Sequence, residues 1–179
     1  ELLHPFKDGN GRIGRILIPL FLYQKRALSQ PMFYLSEYLE NHREGYYQRL
    51  KAISADGDWN GWLVFFLQAI AIQATQNSER VTAIQALYEE MKLAIQAATR
   101  SQYTVHVLDA IFNKPIFRSS DLAQQLFREF GIHEKTGQGL LRQMRDTGIL
   151  RELRPGSGRR PSTLCFPRLI NLAEGRTVI

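Results

Sequence analysis

The sequence predicts a mainly α-helical protein that ends in a small module of three short helices and a β-hairpin. Helical periodicity runs with few interruptions from the first glycines to about residue 100. The remaining segments are short and amphipathic, and they end at glycines or before a proline. Residues 1–99 carry ten Lys or Arg and ten Asp or Glu, whereas residues 100–179 carry thirteen and seven, which is the whole net charge of +6. This asymmetry indicates two modules with different partners.

Length and composition exclude several classes of protein. A chain of 179 residues is long enough for one sizeable core or two small domains. The single cysteine, Cys165, excludes an internal disulfide framework and fits a reducing compartment. No secretory signal opens the chain, and the longest apolar stretch, residues 62–72, is too short to span a bilayer. We therefore expect a cytoplasmic protein with no membrane partner, in which this stretch is a buried core helix.

The first half reads as a series of helices. "RIGRILIPLFLYQKRAL" predicts a well-buried helix that is kinked or broken at Pro19. "SQPMFY" interrupts it, and Pro31 suits the first turn of the next helix. "YLSEYLENHREGYYQRLKAIS" predicts one helix with an inner stripe formed by Leu35, Leu39, Tyr46, Leu50 and Ile53.

A turn, "ADGDWN", separates that helix from the next, and Asp58 or Asn60 is placed to cap the new helix. About forty residues without proline follow. They predict either one long helix or two helices joined near Asn77-Ser78.

The last part has a different pattern. "YTVHVLDAIFNKP" predicts a short helix that stops before Pro115, and "RSSDLAQQLFREFG" predicts a second, capped by Ser119 or Ser120 and ending at Gly131. "HEKTGQGLLRQMRDTG" predicts a third helix ending at Gly148, and "ILRELRPGSGRRPSTLCF" reads as strand, turn and strand. Three helices followed by a basic hairpin are typical of a winged helix-turn-helix domain.

The stretch "HPFKDGNGRIGR" combines residue types that suit phosphate chemistry. A Gly-Asn-Gly turn that leads into a helix exposes backbone N–H groups at the positive end of the helix dipole. Arg12 and Arg15 lie on one face of the first helical turns, and their side chains lean toward that end. Oriented amides and two guanidinium groups suit an anion of more than one charge, such as a polyphosphate.

Two further side chains in this stretch suggest a reaction. Asp8 would be unfavourable beside phosphates without an intervening cation, so it reads best as a ligand for Mg²⁺. His4 titrates near neutrality and is able to accept a proton from an attacking hydroxyl. Together they predict attack of a hydroxyl on a nucleotide phosphate.

The same stretch resembles the signature of the Fic family, H-x-F-x-[D/E]-G-N-G-R-x-x-R, at every fixed position. The resemblance implies a mostly helical fold and transfer of AMP from Mg-ATP to a Ser, Thr or Tyr hydroxyl of a protein. It makes His4 the base, Asp8 the Mg²⁺ ligand and Phe6 the residue that anchors the loop in the core. By the same resemblance, the phosphates contact Gly9, Asn10, Gly11, Arg12 and Arg15.

The following segments "EYLENHREGYYQRL" and "DWNGWLVFFLQAI" also resemble the family. The resemblance makes Tyr46 and Tyr47 candidates for the adenine pocket, with the aromatic core as the alternative for both. The resemblance covers residues 1–75, as a C-terminal part of a Fic catalytic core. The helical periodicity and the pattern of short helices and a basic hairpin predict a connecting helix over 76–100 and the winged helix over 101–179. Family members carry helices, a target-binding flap and often an inhibitory helix before the motif, so we expect this chain alone not to be a competent enzyme.

The basic module leaves a second hypothesis open, a DNA-binding regulator whose Fic half senses a nucleotide. "KTGQGLLRQMR" is the helix that would enter a major groove, although Gly137 and Gly139 weaken it. Winged helices also dock proteins or dimerise, so DNA, a protein partner and a homodimer all stay open. The arginines of the hairpin that would contact either kind of partner are Arg151, Arg154, Arg159 and Arg160.

Overall fold

The computed structural model describes residues 5–30, 35–158 and 160–179. The described chain is mainly α-helical, as predicted. It divides into two compact units, Glu1–Ser78 and Glu79–Ile179, and the finer division at residues 75 and 100 stays a prediction. Three predicted features, the base His4, the helix start at Pro31 and the hairpin residue Arg159, lie outside the described residues.

The first unit is built from α-helices, and the last of them, α4, continues into the second unit. They are α1 (Asn10–Gln24), α2 (Ser36–Asn41), α3 (Arg43–Asp56) and α4 (Trp59–Thr99). The predicted break at Pro19 is wrong, because α1 runs through it as one α-helix. A proline removes a single N–H donor, and the neighbouring turns keep the helix continuous. The α1 helix ends at Gln24, and Arg26 then adopts a left-handed conformation with φ 59°.

The predicted single helix over residues 34–54 is two helices separated at His42. The backbone of His42 leaves the helical region, with φ −117° and ψ 34°. Its ring nitrogen Nδ1 lies 2.9 Å from the carbonyl oxygen of Tyr38, and its ring stacks on the Tyr38 ring with centroids 4.0 Å apart. A side chain that bonds the preceding turn competes with regular helix geometry at that residue. The chain therefore starts a new helix immediately afterwards.

The core of the first unit is small and largely aromatic. Leu35, Leu39 and Tyr46 of the predicted inner stripe are buried, and Leu50 packs against them. The rest of this core comes from α2, from one residue of α1 and from α4, namely Tyr38, Ile18, Trp62, Phe65, Phe66, Ala69 and Ile70.

Two expectations about burial are wrong. The α1 helix was expected to be well buried, yet Pro19 is its one buried residue, and Ile16, Leu17 and Phe21 are more than half exposed. The α4 segment 62–72 was expected to be a buried core helix, yet Leu63 and Leu67 are exposed. Each helix presents one face to the core, and the described residues do not cover its other apolar face.

A buried glutamine on α4 fixes the start of α2. The side chain of Gln73 is fully buried, and its Oε1 accepts a hydrogen bond from the backbone N–H of Tyr38 at 3.0 Å. Its Nε2 donates to Asn77 Oδ1 at 3.1 Å and to Glu37 Oε2 at 3.4 Å. Because a buried amide needs partners for both ends, this network holds α2 in one position on α4.

The α4 helix is a single helix of 41 residues, which decides between the two predicted alternatives. Of the two predicted caps, Asp58 is the one observed, since its Oδ1 accepts a hydrogen bond from the backbone N–H of Gly61 at 2.8 Å. Despite this length, none of the helices in the described residues is apolar over a stretch that could cross a membrane.

The second unit combines helices with a three-stranded sheet. After α4 come α5 (Thr104–Asn113), β1 (Ile116–Arg118), α6 (Ser119–Phe130), α7 (Glu134–Asp146), β2 (Arg151–Arg154), β3 (Thr163–Cys165) and α8 (Pro167–Glu174). The strands are antiparallel in the order β1-β3-β2. The three predicted helices and both hairpin strands are confirmed, whereas β1 and α8 were missed. The predicted serine cap of α6 is not observed, since α6 begins at Ser119 without a side-chain cap.

The core of the second unit is larger and more aliphatic than the first. Leu87, Met91 and Ile95 of α4 join buried residues of every following element except β2, among them Leu108, Leu126, Leu141, Met144, Phe117, Leu164, Phe166 and Leu169. On the outside, Arg168 of α8 binds Glu90 of α4 through two hydrogen bonds of 2.6 and 2.7 Å. This ion pair lowers the pKa of the Glu90 carboxyl.

The two glycines of α7 differ in their surroundings. A Cβ atom at Gly137 would lie 3.4 Å from the Cα atom of Ala123 on α6, whereas nothing lies within 4 Å of one at Gly139. A small residue at position 137 therefore allows α6 and α7 to pack closely. The helix-weakening effect of that glycine is offset by this packing.

We predict that the Tyr88–Asp109 contact between α4 and α5 stabilises the protein up to about pH 10. The Tyr88 hydroxyl donates to Asp109 Oδ1 at 2.6 Å, and this bond, with burial, raises the pKa of Tyr88 to about 12. Since the protonated form is favoured in the folded state, the contribution is complete below the ordinary pKa of 10.0 and is lost as the pH rises toward 12. Urea unfolding of Tyr88→Phe should show a loss of about 1 kcal/mol at pH 7. The difference from wild type should shrink above pH 10, and a difference that grows there would contradict the assignment.

Candidate phosphate-binding site

The α1 helix starts from a glycine that no other residue would replace without strain. Gly9 is the N-cap of α1 and adopts a left-handed conformation, with φ 81° and ψ 5°. Residues with a Cβ atom rarely adopt this conformation. The turn brings the chain from the Lys7-Asp8 segment into the helix at Asn10, and the carbonyl of Gly9 accepts the N–H of Ile13 at 3.0 Å.

The side chain of Asn10 closes the loop before the helix. Its Oδ1 accepts a hydrogen bond from the backbone N–H of Phe6 at 3.0 Å, and its Nδ2 donates to the carbonyl of Phe6 at 2.7 Å. One amide thus satisfies both backbone groups of Phe6 and fixes the loop between residues 6 and 10. The expectation that the Phe6 ring anchors the loop in the core is wrong, since the ring is 52% exposed. The loop is held through the backbone of Phe6, which leaves its side chain in solvent.

The first turn of α1 has the electrostatics of an anion site. The N–H groups of Asn10, Gly11 and Arg12 have no carbonyl partner within the helix, because they belong to its first turn. Among the described residues, no side chain caps this end of α1, and the first turn of the helix contains no acidic residue. The positive end of the helix dipole is therefore not neutralised by a carboxylate of the helix itself.

The two arginines of this helix lie in different surroundings. Arg12 is exposed, whereas Arg15 is half-buried and lines a cavity of about 170 Å³. Tyr46 and Tyr47 of α3 line the same cavity, so the structure brings three predicted site residues together. Among the described residues, neither the Gly9 loop nor Arg12 contributes to its lining.

The remaining residues that line the cavity were not among the predicted site residues. These are Ser36, Leu39, Glu40 and Arg43. The guanidinium carbon of Arg43 lies 5.7 Å from the centre of the Tyr47 ring, and its Nη1 lies 4.0 Å from Glu40 Oε1. The spacing of Arg43 and Tyr47, one helical turn apart, is the signal in the sequence from which this contact could have been predicted.

The two tyrosines contribute different surfaces. Tyr46 is buried, and its ring packs against Trp62 with centroids 5.7 Å apart, so it belongs to the aromatic core as well as to the cavity wall. The ring of Tyr47 is 52% exposed. Tyr47 is therefore the ring of this pair that is open to a ligand.

The environment of Asp8 fits a metal ion that the protein binds together with a second ligand, and not a metal ion that protein side chains bind by themselves. Asp8 is exposed, and its Oδ1 accepts a hydrogen bond from the N–H of Gly9 at 2.6 Å. The part of the chain that the structure describes contains no group of three or more His, Cys, Asp or Glu residues that could hold a metal ion. Magnesium commonly takes one or two carboxylates and completes its shell with water and phosphate oxygens. A single carboxylate beside the candidate anion site fits that pattern.

The predicted nucleic-acid or docking residues lie in the hairpin of the second unit. Arg151 and Arg154 are in β2 and are exposed, and Arg160 is exposed at the hairpin tip. The tip closes through two backbone hydrogen bonds between Ser157 and Arg160, of 3.0 and 2.9 Å. These arginines belong to a different unit from the α1 loop.

A comparison with protein families matches the segment of the chain that contains the loop before α1. The model of the Fic/DOC family matches residues 1–22. The matched range includes the loop, Arg12, Arg15 and most of α1. It supports a relationship to the Fic family over this segment, and the cavity residues of α2 and α3 and the whole second unit lie beyond it.

We predict that Asn10→Ala loosens the loop without unfolding the protein. The backbone N–H of Phe6 should exchange with solvent about fivefold faster, because it loses a hydrogen bond worth about 1 kcal/mol. Asn10→Asp is the matched control, since a carboxylate keeps the acceptor for that N–H. Amide exchange measured by NMR tests this. Equal protection of the Phe6 N–H in Asn10→Ala and wild type would contradict the role of Asn10.

Proposed function

We propose that the first unit is a protein adenylyltransferase site, which binds ATP with Mg²⁺ and transfers AMP to a Ser, Thr or Tyr hydroxyl of a protein. The observation that carries this proposal is the start of α1. A left-handed glycine leads into a helix end that has neither a side-chain cap nor an acidic first turn, and two arginines follow it. The match of residues 1–22 to the Fic/DOC family supports the same chemistry at the level of the family.

In this proposal, the phosphates occupy the N-terminus of α1. The N–H groups of its first turn donate to phosphate oxygens, as at other helix N-termini that bind anions. Arg12 and Arg15 contact the outer phosphates and balance the charge of the leaving pyrophosphate. Because the helix end and its loop are fixed before the ligand arrives, little reorganisation is needed when charge develops on the phosphates.

The carboxylate of Asp8 would hold the magnesium ion of the nucleotide, which would supply charge neutralisation for the phosphates. With one carboxylate in reach, this chain is expected to bind Mg²⁺ far more tightly with ATP than without it.

The transfer itself requires a base, which we assign to His4. Its imidazole takes the proton from the target hydroxyl as the hydroxyl oxygen bonds to the α-phosphorus. The bond between that phosphorus and the bridging oxygen to the β-phosphate breaks, and pyrophosphate leaves. The products are the AMP ester of the target residue and pyrophosphate.

The cavity beside Arg15 is the proposed place for the adenine. Its volume of about 170 Å³ is below the roughly 300–1,000 Å³ of pockets for drug-sized ligands, so it suits one planar group rather than a whole nucleotide. The exposed face of Tyr47 offers a stacking surface, and Arg15 connects this cavity with the helix that holds the phosphates. In this proposal, the adenine and the phosphates bind to adjacent parts of the first unit.

We predict that the full-length gene product transfers label from α-³²P-ATP, but not from γ-³²P-ATP, to itself or to a protein in a cell lysate. His4→Ala should reduce this label by at least about 100-fold, the lower range of general-base effects. His133→Ala is the matched control, since this histidine lies in the second unit before α7. Autoradiography after gel electrophoresis measures both.

Two outcomes would contradict the proposal. Undiminished labelling in His4→Ala would exclude its role as the base. Nucleotide binding without any label from α-³²P-ATP would instead support a nucleotide-sensing role.

A further inference from the structure

The α7 helix divides sharply into a packed face and a solvent face. Its buried residues are Gly137, Leu140, Leu141 and Met144. The opposite stripe, at spacings of three and four residues, consists of exposed side chains that are cationic or carry an amide, namely Lys135, Gln138, Arg142 and Arg145. The apolar residues of the helix are all on the packed side, so its solvent face has no apolar anchor.

The register of the sheet collects three arginines on one face. Arg118 of β1 and Arg154 of β2 are both paired with Thr163 of β3, so they flank it in one row. Arg151 is paired with Cys165, two residues further along β3, and therefore points to the same face. The two β2 arginines are predicted from the sequence, whereas Arg118 joins them only through the strand pairing.

The other face of the sheet is the one that packs on the helices. Phe117, Leu164 and Glu152 share a row, and the first two are buried in the core of the second unit. On the arginine face Cys165 of β3 is buried, whereas the side chains of Arg118, Arg151 and Arg154 on the two outer strands are exposed. Glu152 lies on the opposite side of the sheet by the same register, and it does not neutralise the arginines in their rows.

Acidic side chains near this surface are few and lie at its ends. Asp146 at the end of α7 binds Arg145 through hydrogen bonds of 3.1 and 2.9 Å, which leaves Lys135 and Arg142 as the less neutralised cations of the stripe. Glu134 lies in the first turn of α7, where it favours the helix dipole.

This composition discriminates between classes of partner. The centres of protein–protein interfaces are enriched in aromatic and apolar residues, and protein–DNA interfaces are polar and strongly positive. Single-stranded nucleic acid is held mainly by stacking on aromatic side chains, which α7, β2 and β3 lack altogether. A cationic helix face with amide side chains, next to arginines on a sheet, fits the grooves and phosphates of a duplex.

We propose that the second unit binds duplex DNA, with the solvent face of α7 in the major groove and Arg118, Arg151 and Arg154 on the phosphates. The link from α7 to β2 covers residues 147–150 and spans at most about 15 Å, so the end of the helix lies close to the start of the strand. Arg142 and Gln138 are the side chains of α7 placed to reach base edges. This assignment is independent of nucleotide chemistry in the first unit.

The test is fluorescence anisotropy of a labelled 30-base-pair duplex of mixed sequence with the full chain, at about 50 to 200 mM salt. We expect micromolar binding that weakens as salt rises, as for proteins that neutralise phosphates. Arg118→Ala/Arg154→Ala should reduce the slope of log K against log salt by about 2, and Arg142→Ala should weaken binding at every salt concentration. The control is Arg176→Ala, which changes an exposed arginine after α8. It should change neither the affinity for the duplex nor the slope against salt.

All four side chains changed are exposed, and Arg118 caps α6 through its backbone and not its side chain, so folding should be retained. Circular dichroism and thermal unfolding verify this for each variant. Absence of duplex binding at 50 mM salt would overturn the proposal. Equal losses of duplex affinity in the double variant and in Arg176→Ala would also overturn it. Tighter binding to the single strand than to the duplex would also overturn it.

Discussion

Both cores of this protein are built on one helix, α4. Near its start, Trp62, Phe65 and Ala69 form the aromatic core of the first unit, and beyond its middle, Leu87 and Met91 enter the aliphatic core of the second. The apolar packing of these two stretches is the constraint that both units share, because α4 is the one described helix that contributes to each core. A proline within either stretch would disturb the core to which that stretch belongs.

Within the first unit, polar contacts rather than apolar burial give the site its shape. Gln73 of α4 holds the start of α2 and thereby the wall of the cavity beside Arg15, while Asn10 closes the loop that leads into α1. Such contacts have one satisfactory geometry, whereas apolar packing tolerates several. The proposed chemistry would benefit from this, because phosphate groups must be held by donors whose positions are fixed in advance.

The sequence predicted the helical class, the glycine turn before α1 and most of the helices and strands of the second unit, because these rest on local signals. The glycines after α6 and α7 and the turn residues of the hairpin are examples. It did not predict β1, whose three residues are a strand only through pairing with a distant segment, nor the position of Arg118 beside Arg154. The missed α8 did have local signals, Pro167 at its start and Gly175 at its end. The exposure of the apolar faces of α1 and α4 could not be predicted, since periodicity indicates that a face is apolar but not that it is covered.

We propose that the N-terminus of α1 receives the phosphates of a nucleotide. A titration of ¹⁵N-labelled protein with ATP and Mg²⁺, followed by NMR, tests it most directly. We expect saturable chemical-shift changes of the amides of Gly9, Gly11 and Arg12. Arg15→Ala should lower the affinity for the nucleotide by about tenfold or more, because a charge-assisted contact is lost. Shifts confined to other parts of the chain, or none at millimolar ATP, would contradict it.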